Sequence, residues 1–395
     1  MTRYAVQLDP GEPEFLRDPY PVLAALRANG PVLWHEPMGM WLATSHESVT
    51  KVLRDRAFGR LWSDWEPADE LEPFNALHRN QMMENEPPAH TRLRKLVAGA
   101  FGRGHVERMR PRIEALAAEM VEQLDERFDV LADYAEPMPV FVIADLLGVP
   151  RADHQRLRAW SQAIVHMYEP RVGPEVKAAA VEASTAFSDY VRAVIADRRA
   201  HPGEDLISDL IAERGRGAKL SDDELVASVV LLLNAGHEAS VNAFGNGMNA
   251  LLQHPDQLAR VTSGEVPVEV ALEELIRFDA PLQLFERTAT ADVTVCGQTI
   301  RAGQTVACLM GSANRDVAAF AEPDSFDVGR DPNPHVGFGM GRHFCLGAPL
   351  ARLELQISLT HLLRRFPRLE LVGEAPRRPT WVLRGFESIP VEAAA

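Results

Sequence analysis

The feature that most constrains the fold is a helical pattern that continues from residue 222 to residue 253. Ser221 followed by Glu224 is the sequence pattern of a capping box, and His254 with Pro255 marks the end of the helix. At ~1.5 Å per residue the helix is roughly 48 Å long. A helix of that length must cross a whole domain, so the sequence predicts a protein built around one central helix.

The remaining segments predict a mainly α fold in which β-sheets are small. Apolar residues recur at helical spacing in residues 108–126, 176–199 and 346–365. Strand patterns are short and occur late in the chain, at residues 292–300, 305–310 and 381–386. No repeat or low-complexity linker divides the chain.

Composition excludes several classes of protein. The 41 Lys and Arg against 56 Asp and Glu give a net charge of -15, which argues against nucleic acid as a general partner. The cysteines, Cys296, Cys308 and Cys345, show no CxxC spacing, so we expect neither a disulfide framework nor a multi-cysteine zinc site. The N-terminus lacks the apolar run of a signal peptide, and no run approaches the ~18 consecutive apolar residues of a membrane span. These patterns predict a cytoplasmic protein with no membrane partner.

The stretch LLLNAGHEAS, residues 231–240, breaks the apolar pattern of the long helix. The long helix contains three glycines, Gly236, Gly245 and Gly247. Because each glycine in a helix interior costs about 1 kcal/mol relative to alanine, they predict that another part of the protein approaches the helix closely. One helix face carries mostly small side chains that would leave open space: Leu232, Ala235, Gly236 and Ala239. Glu238 lies on a polar line with four asparagines, which is either a hydrogen-bonded seam against a neighbouring helix or a functional face: Asn234, Asn242, Asn246 and Asn249.

The stretch HVGFGMGRHFCLGAPLARLELQ, residues 335–356, places glycines around Cys345 immediately before a helical pattern. Backbone N–H groups and the dipole at a helix N-terminus favour thiolate over thiol. Such a thiolate could bind a metal or act as a nucleophile, whereas the alternative is a buried structural thiol. The glycines leave room for a flat, bulky group against the loop.

The pattern F-x-x-G-x-x-x-C-x-G, from Phe338 to Gly347, resembles the haem-binding loop of the cytochrome P450 superfamily. Glu274 and Arg277 resemble the E-x-x-R motif of that family, and further matches continue from Asp18 to Val391. The resemblance therefore covers essentially the whole chain. It implies the cytochrome P450 fold, with residues 1–395 as a single catalytic domain.

The resemblance also implies a cofactor, haem b (iron protoporphyrin IX), with the Cys345 thiolate as the proximal iron ligand. It implies that four side chains hold the haem propionates, although a surface salt bridge or cap is the alternative for each: His90, Arg94, Arg287 and His343. Phe338, Gly339 and Ala235 would lie beside the haem. Glu274 and Arg277 would form a buried structural ion pair with no chemical role.

On the oxygen side, the family's pattern A-G-x-[DE]-T-T resembles Ala235, Gly236, His237 and Glu238. The resemblance implies that Gly236 makes room for dioxygen and that Glu238 organises proton delivery. Ala239 replaces the usual threonine, and Ser240 lies about 100° further round the helix, so it is an imperfect substitute. A substrate hydroxyl, Ser240 with water, or peroxide-driven chemistry could compensate. His237 is predicted to pack or hydrogen-bond beside the helix and not to bind iron.

The resemblance predicts a pocket for a small to medium organic substrate, with ordinary core as the alternative for each lining residue: Trp62, Trp65, Met82, Met83, Leu232, Leu284 and Val382. No flavin or iron–sulfur segment is present, so electrons would come from a separate ferredoxin and ferredoxin reductase. Six arginines could form a docking patch or simply be solvated charge: Arg103, Arg108, Arg110, Arg112, Arg342 and Arg352. We expect a monomeric haem-thiolate monooxygenase that uses dioxygen. The alternatives are peroxide-driven oxidation and a non-catalytic haem-binding or ligand-sensing protein.

Overall fold

The computed structural model describes residues 8–215 and 220–393. Its α-helices are α1 Pro13–Arg17, α2 Tyr20–Asn29, α3 His46–Arg54, α4 Glu72–Arg79, α5 Ala89–Ala98, α6 Arg103–Glu122, α7 Pro137–Leu147, α8 His154–Val165, α9 Pro174–Ala200, α10 Leu206–Gly215, α11 Asp222–Gln253, α12 Pro255–Thr262, α13 Val268–Phe278, α14 Met310–Ala313 and α15 Ala348–Arg365. Its strands are β1 Val32–His35, β2 Met40–Ala43, β3 Phe58–Gly59, β4 Arg127–Asp129, β5 Leu284–Ala289, β6 Val293–Val295, β7 Gln298–Ile300, β8 Thr305–Leu309, β9 Leu369–Leu371 and β10 Pro390–Ala393. The predicted mainly α fold with small sheets is confirmed.

The long helix α11 has the predicted bounds and the predicted cap. The Glu224 N–H donates to Ser221 Oγ at 3.0 Å, and the Ser221 N–H donates to Glu224 Oε2 at 2.9 Å. Within the described ranges, α11 alone is long and apolar enough to cross a membrane, but 78% of its most apolar window is buried inside the protein. That burial is typical of a core helix.

Neighbouring side chains approach α11 closely at its glycines, as predicted. A Cβ atom at Gly247 would lie 2.6 Å from Leu275 Cδ2 of α13, and one at Gly236 would lie 2.9 Å from Ile143 Cγ1 of α7. These contacts are too close for a side chain at either position, so the glycines allow α7 and α13 to pack against α11.

The strands form one five-stranded sheet of order β1-β2-β8-β5-β3, one three-stranded sheet of order β4-β10-β9, and the hairpin β6-β7. All pairs are antiparallel except β2 with β8. The predicted strand 292–300 is two strands that turn at Cys296 and Gly297, and the predicted strand 305–310 is β8. The predicted helix 108–126 begins earlier, at Arg103, and ends at Glu122.

The strand predicted at residues 381–386 is wrong. Only isolated bridges form there, between Leu282 and Leu383 and between Arg377 and Phe386. The Glu169 carboxylate accepts the backbone N–H groups of this segment, at 2.9 Å from Trp381 and 3.0 Å from Val382. Because a side chain satisfies these donors, the segment does not need a strand partner.

Candidate active site

A cavity of about 890 Å³ lies between the middle of α11 and the glycine-rich loop that precedes α15. It brings together residues from distant parts of the sequence. The predicted cofactor and catalytic residues that line it are His90, Arg94, Ala235, Gly236, Glu238, Ala239, Ser240, Arg287, Phe338, Gly339, His343 and Cys345. The predicted pocket residues that line it are Trp62, Trp65, Met82, Met83, Leu232, Leu284 and Val382. Their roles in binding stay predictions, but one cavity contains them all.

Cys345 is held by a tight loop. Its N–H donates to the Phe338 carbonyl oxygen at 2.9 Å. Gly341 has φ +70°, and a Cβ atom there would lie 2.2 Å from the Leu53 carbonyl oxygen, so only glycine fits. Burial raises the pKa of the Cys345 thiol, whereas the Gly347 N–H and Arg94 act in the opposite direction. The predicted favouring of thiolate by the helix N-terminus is thus present, but desolvation outweighs it in the protein alone.

Cys345 is the only one of the three cysteines that lines the cavity. Cys308 is buried in β8, where burial raises the pKa of its thiol to about 12. Cys296 lies in the β6-β7 turn. In the described ranges no three His, Cys, Asp or Glu side chains cluster as a metal site, so a metal at this cavity would depend on Cys345.

Basic side chains line the cavity near the cysteine loop. Arg287 is buried, donates to the Glu286 carbonyl oxygen at 2.8 Å, and has no carboxylate partner among the described residues. Burial lowers the pKa of Arg287 to about 10. Arg94 donates to the Phe344 carbonyl oxygen at 2.7 Å. His90 Nε2 is buried without a hydrogen-bond partner in the described part of the chain, and burial lowers the pKa of His90 to about 4.

His343 is already paired, which the sequence did not indicate. Its Nε2 lies 2.8 Å from Glu86 Oε1, and Arg342 donates to the other oxygen of the same carboxylate. Burial alone would raise the pKa of Glu86, but His343, the Arg60 N–H and Arg342 together lower it to about 2. Glu86 therefore anchors His343 beside His90, whose ring centre is 4.5 Å from that of His343.

These residues fit haem. Buried guanidinium groups need anionic partners, and Arg287, Arg94 and His90, which line the same cavity, could donate to the two carboxylates of a haem. The cavity is large, and Cys345 lines it next to loop glycines that keep the approach open. The unpartnered His90 Nε2 supports the same assignment.

On α11, the alanines provide the open surface. Ala235 is exposed and Ala239, one turn later, is partly exposed, although both lie within the core helix, so they face the cavity that they line. The space at Gly236 is filled by Ile143, which is a packing reason for the glycine that the sequence did not reveal. The oxygen-binding role of Gly236 stays a prediction.

Glu238 is buried, and its two oxygen atoms have different surroundings. Arg378 donates to Oε1, whereas Oε2 has no hydrogen-bond partner among the described residues. Neighbouring His237 is fully buried with both ring nitrogens unpartnered in the same ranges, and burial, with Arg158 and Arg378, lowers its pKa to about 3. His237 therefore packs beside the helix in its neutral form, as predicted.

Of the predicted polar seam, Asn246 is hydrogen-bonded, whereas Asn234 Oδ1 and both side-chain atoms of Asn242 have no hydrogen-bond partner among the described residues. The Asn246 side chain donates to the carbonyl oxygens of Asp279 at 3.0 Å and Arg384 at 2.9 Å, and it accepts from Arg377 at 3.1 Å. Its partners are loop and C-terminal residues, not a neighbouring helix. Asn246 thus ties α11 to the C-terminal segment.

Several acidic residues of this cavity region were not predicted from the sequence, among them Glu354 and Glu136. Glu354 of α15 lines the cavity, and burial raises its pKa to about 8. Its spacing from Leu350 and Ile357 places it on the apolar face of α15, which was an available signal. Glu136 pairs with Arg378 at 3.0 Å. Because the two residues are 242 apart in the sequence, no local pattern indicated this pair.

The six arginines proposed as a docking patch are largely engaged. Arg110 pairs with Glu107 at 2.9 Å, and Arg112 pairs with Asp145 at 3.3 Å. Arg352 pairs with Glu273 at 2.6 Å, and Arg342 pairs with Glu86. Arg108 donates to the Gly104 carbonyl oxygen at 3.0 Å. These pairings reduce the positive potential that the sequence predicted there.

A mainly helical fold around one long helix, with a cavity lined by a thiol, two arginines without a carboxylate partner in the described ranges, and a buried carboxylate, defines a haem-thiolate oxidising enzyme. The chain belongs to the cytochrome P450 family, since the family model described as Cytochrome P450 matches residues 30–264 and 268–384. It is a monooxygenase of that family, whose members bind haem through a cysteine thiolate and oxidise organic substrates with electrons from redox partners.

The chain is similar to cytochrome P450 monooxygenase PikC of Streptomyces venezuelae, with 39% identity over 391 residues, 96% of this chain and 92% of that protein. Among solved structures, P450BioI in complex with hexadec-9Z-enoic acid-ligated acyl carrier protein has a TM-score of 0.92 and 34% identity, covering 96% of this chain and 99% of that one. Myxobacterial CYP267B1 in complex with myristic acid has a TM-score of 0.88 and 35% identity, covering 98% of each chain.

Proposed function

We propose that the chain inserts one atom of dioxygen into an apolar small to medium organic substrate, using electrons from a separate ferredoxin and ferredoxin reductase. The observation that carries this proposal is that Cys345 and Glu238 line one cavity, and that Glu238 Oε2 has no hydrogen-bond partner among the described residues. The apolar lining and the lipid-like ligands of the two solved relatives support an apolar substrate. We further propose that residues 1–395 act as one catalytic domain, as a monomer in the cytoplasm.

In this proposal the chain's own residues hold the cofactor. Cys345 binds the haem iron, and a coordinated thiol is deprotonated despite the burial that raises its pKa in the protein alone. Arg94, Arg287 and His90 donate to the propionates. His343 supports His90 from its pair with Glu86. When bound, the haem supplies dioxygen activation, for which the thiolate donates electron density.

Proton delivery then depends on Glu238. Its Oε2 can accept a proton from one water molecule and return it to another in the cavity. Ala239 offers no hydroxyl to hold that second water. We propose that a hydroxyl of the substrate, or Ser240 with an ordered water, supplies the missing hydrogen bond.

Ala239→Thr is expected to alter the coupling of reductant use to product formation. A hydroxyl at residue 239 adds one hydrogen bond, about 1 kcal/mol net, which corresponds to a change of about fivefold in the ratio of peroxide released to product. NADH consumption, peroxide and product are measured together with a turned-over substrate. An unchanged ratio of peroxide to product would contradict the proposal that the missing hydroxyl at residue 239 limits proton delivery.

Ser240→Ala distinguishes the two sources of the hydroxyl. If Ser240 holds the relay water, its loss raises peroxide release with every substrate. If the substrate holds it, Ser240→Ala matches the unsubstituted protein, and only substrate analogues without the hydroxyl release more peroxide.

The function itself is tested in two steps. Compounds are first screened for displacement of a sixth-ligand water, seen as a spin-state shift of the haem. Hits are then incubated with ferredoxin, ferredoxin reductase and NADH, or with hydrogen peroxide alone. Product with the reductase system supports the proposal. Product only with peroxide indicates peroxide-driven oxidation, and binding without product under either condition indicates a ligand-sensing protein.

A further inference from the structure

We propose that Arg378 is the positioning residue for Glu238, and that with Glu136 and Arg158 it forms a charged connection from the cavity to the protein surface. The proposal rests on the proposed role of Glu238 in proton delivery. It assigns a function to a C-terminal arginine that the sequence did not distinguish from its neighbours.

The contacts form a continuous series. Arg378 donates through one NH2 group to Glu238 Oε1 and through the other to Glu136 Oε1 at 3.0 Å. Arg158 donates to the second oxygen of Glu136. The exposed fraction of the side chain is 5% at Glu238, at one end, and 34% at Arg158, at the other.

The backbone that carries Arg378 is fixed. Its N–H donates to the Gly385 carbonyl oxygen at 3.2 Å, and the adjacent Arg377 forms a bridge with Phe386. Arg378 therefore reaches α11 from an anchored segment, while Glu136, at the start of α7, accepts from both Arg378 and Arg158 of α8. Three separate parts of the fold thus set the position of one guanidinium group.

Charge explains what this position does. The two guanidinium groups balance the two carboxylates of the series, and the titratable neighbour on α11, His237, is neutral because its pKa is lowered to about 3. Four other carboxylates line the same cavity: Glu84, Glu169, Glu286 and Glu354. Without Arg378, buried Glu238 would have no counter-charge in contact among the described residues.

An arginine side chain does not lose its proton in proteins, so Arg378 cannot carry protons itself. Its effect must be to hold Oε1 and so to fix the Glu238 carboxylate beside the cavity that this residue lines. Arg378 is therefore a positioning residue, and Glu238 is the group that exchanges the proton.

The test compares holoenzyme variants Arg378→Met, Arg378→Lys and Glu238→Gln. An infrared pH titration follows the carboxylic acid C=O absorbance that Glu238→Gln lacks. In Arg378→Met this absorbance should persist about 1–3 pH units higher than in the unsubstituted protein, because an adjacent cation stabilises the carboxylate by that amount. Arg378→Lys retains the charge and should titrate close to the unsubstituted protein.

The second measurement is the peroxide released per NADH oxidised across pH, with ferredoxin, ferredoxin reductase and myristic acid as the test compound. Arg378→Met should resemble Glu238→Gln at neutral pH and recover at higher pH, as Glu238 ionises again. Arg192→Met, at an exposed pair with Asp189, is the matched control for loss of an arginine and should show no change. If Arg378→Met does not fold, Glu136→Gln loosens Arg378 without touching Glu238 and should shift both measurements in the same direction.

The outcomes separate the two proposals. If Glu238→Gln leaves peroxide release unchanged, the proposed role of Glu238 is wrong. If Glu238→Gln changes peroxide release but the Arg378 and Glu136 variants titrate like the unsubstituted protein, the role of Arg378 is wrong and that of Glu238 stands.

Discussion

Cys345→Ser is expected to reduce oxidation activity to background and to remove the red-shifted absorption band that a thiolate ligand gives to the reduced, carbon monoxide-bound haem. A serine hydroxyl is a much weaker electron donor to iron than a thiolate, so the chemistry that depends on the thiolate is lost even where haem still binds. The measurement is the absorption spectrum of the reduced carbon monoxide complex, followed by product formation with the reductase system.

Cys296→Ser is the matched control, because Cys296 lies in the β6-β7 turn away from the cavity. It should keep both the thiolate band and the activity. A thiolate band that survives in Cys345→Ser, or that disappears in Cys296→Ser, would show that the iron ligand has been assigned to the wrong cysteine.

Arg277→Met is expected to destabilise the protein by about 3–5 kcal/mol, the cost of breaking a buried ion pair by removing one partner. Arg277 donates to Glu274 at 2.6 and 2.8 Å, and both side chains are 0% exposed. Arg277 also donates to the carbonyl oxygens of Asn314 and Pro323, each at 2.8 Å. The substitution would leave these buried acceptors unsatisfied, in the segment that leads to the Cys345 loop.

The loss is measured by urea unfolding of the holoenzyme, followed by circular dichroism and by haem absorbance. Arg260→Met is the control, because Arg260 pairs with Asp327 of the same segment at 2.9 Å but is partly exposed, and such pairs contribute about 0.2–1 kcal/mol. Equal midpoints for the two variants would contradict a structural role for the Glu274–Arg277 pair. Retained oxidation activity per bound haem in Arg277→Met would agree with the absence of a chemical role.

Local patterns were reliable predictors where local physics decides the outcome. The Ser221–Glu224 cap and the bounds of α11 followed from hydrogen bonds between residues three apart and from apolar spacing. The segment at residues 381–386 was wrongly predicted as a strand, because a distant side chain and not a neighbouring strand accepts its backbone hydrogen bonds. That side chain is Glu169, more than two hundred residues earlier, which accepts from the N–H groups of Trp381 and Val382. No local sequence pattern indicates such a distant partner.

The sequence alone determined the central helix, the mainly α fold, the loop around Cys345 and the replacement of the usual threonine by Ala239, because each is a feature of contiguous residues. Only the tertiary structure decided which charges meet. Glu86 holds His343, Arg378 holds Glu238, and the arginines of the predicted docking patch are mostly paired. The physical reason is that electrostatic and hydrogen-bond partners act over a few ångströms in space, whereas Glu86 and His343, Arg378 and Glu238, and Arg352 and Glu273 are 257, 140 and 79 residues apart along the chain.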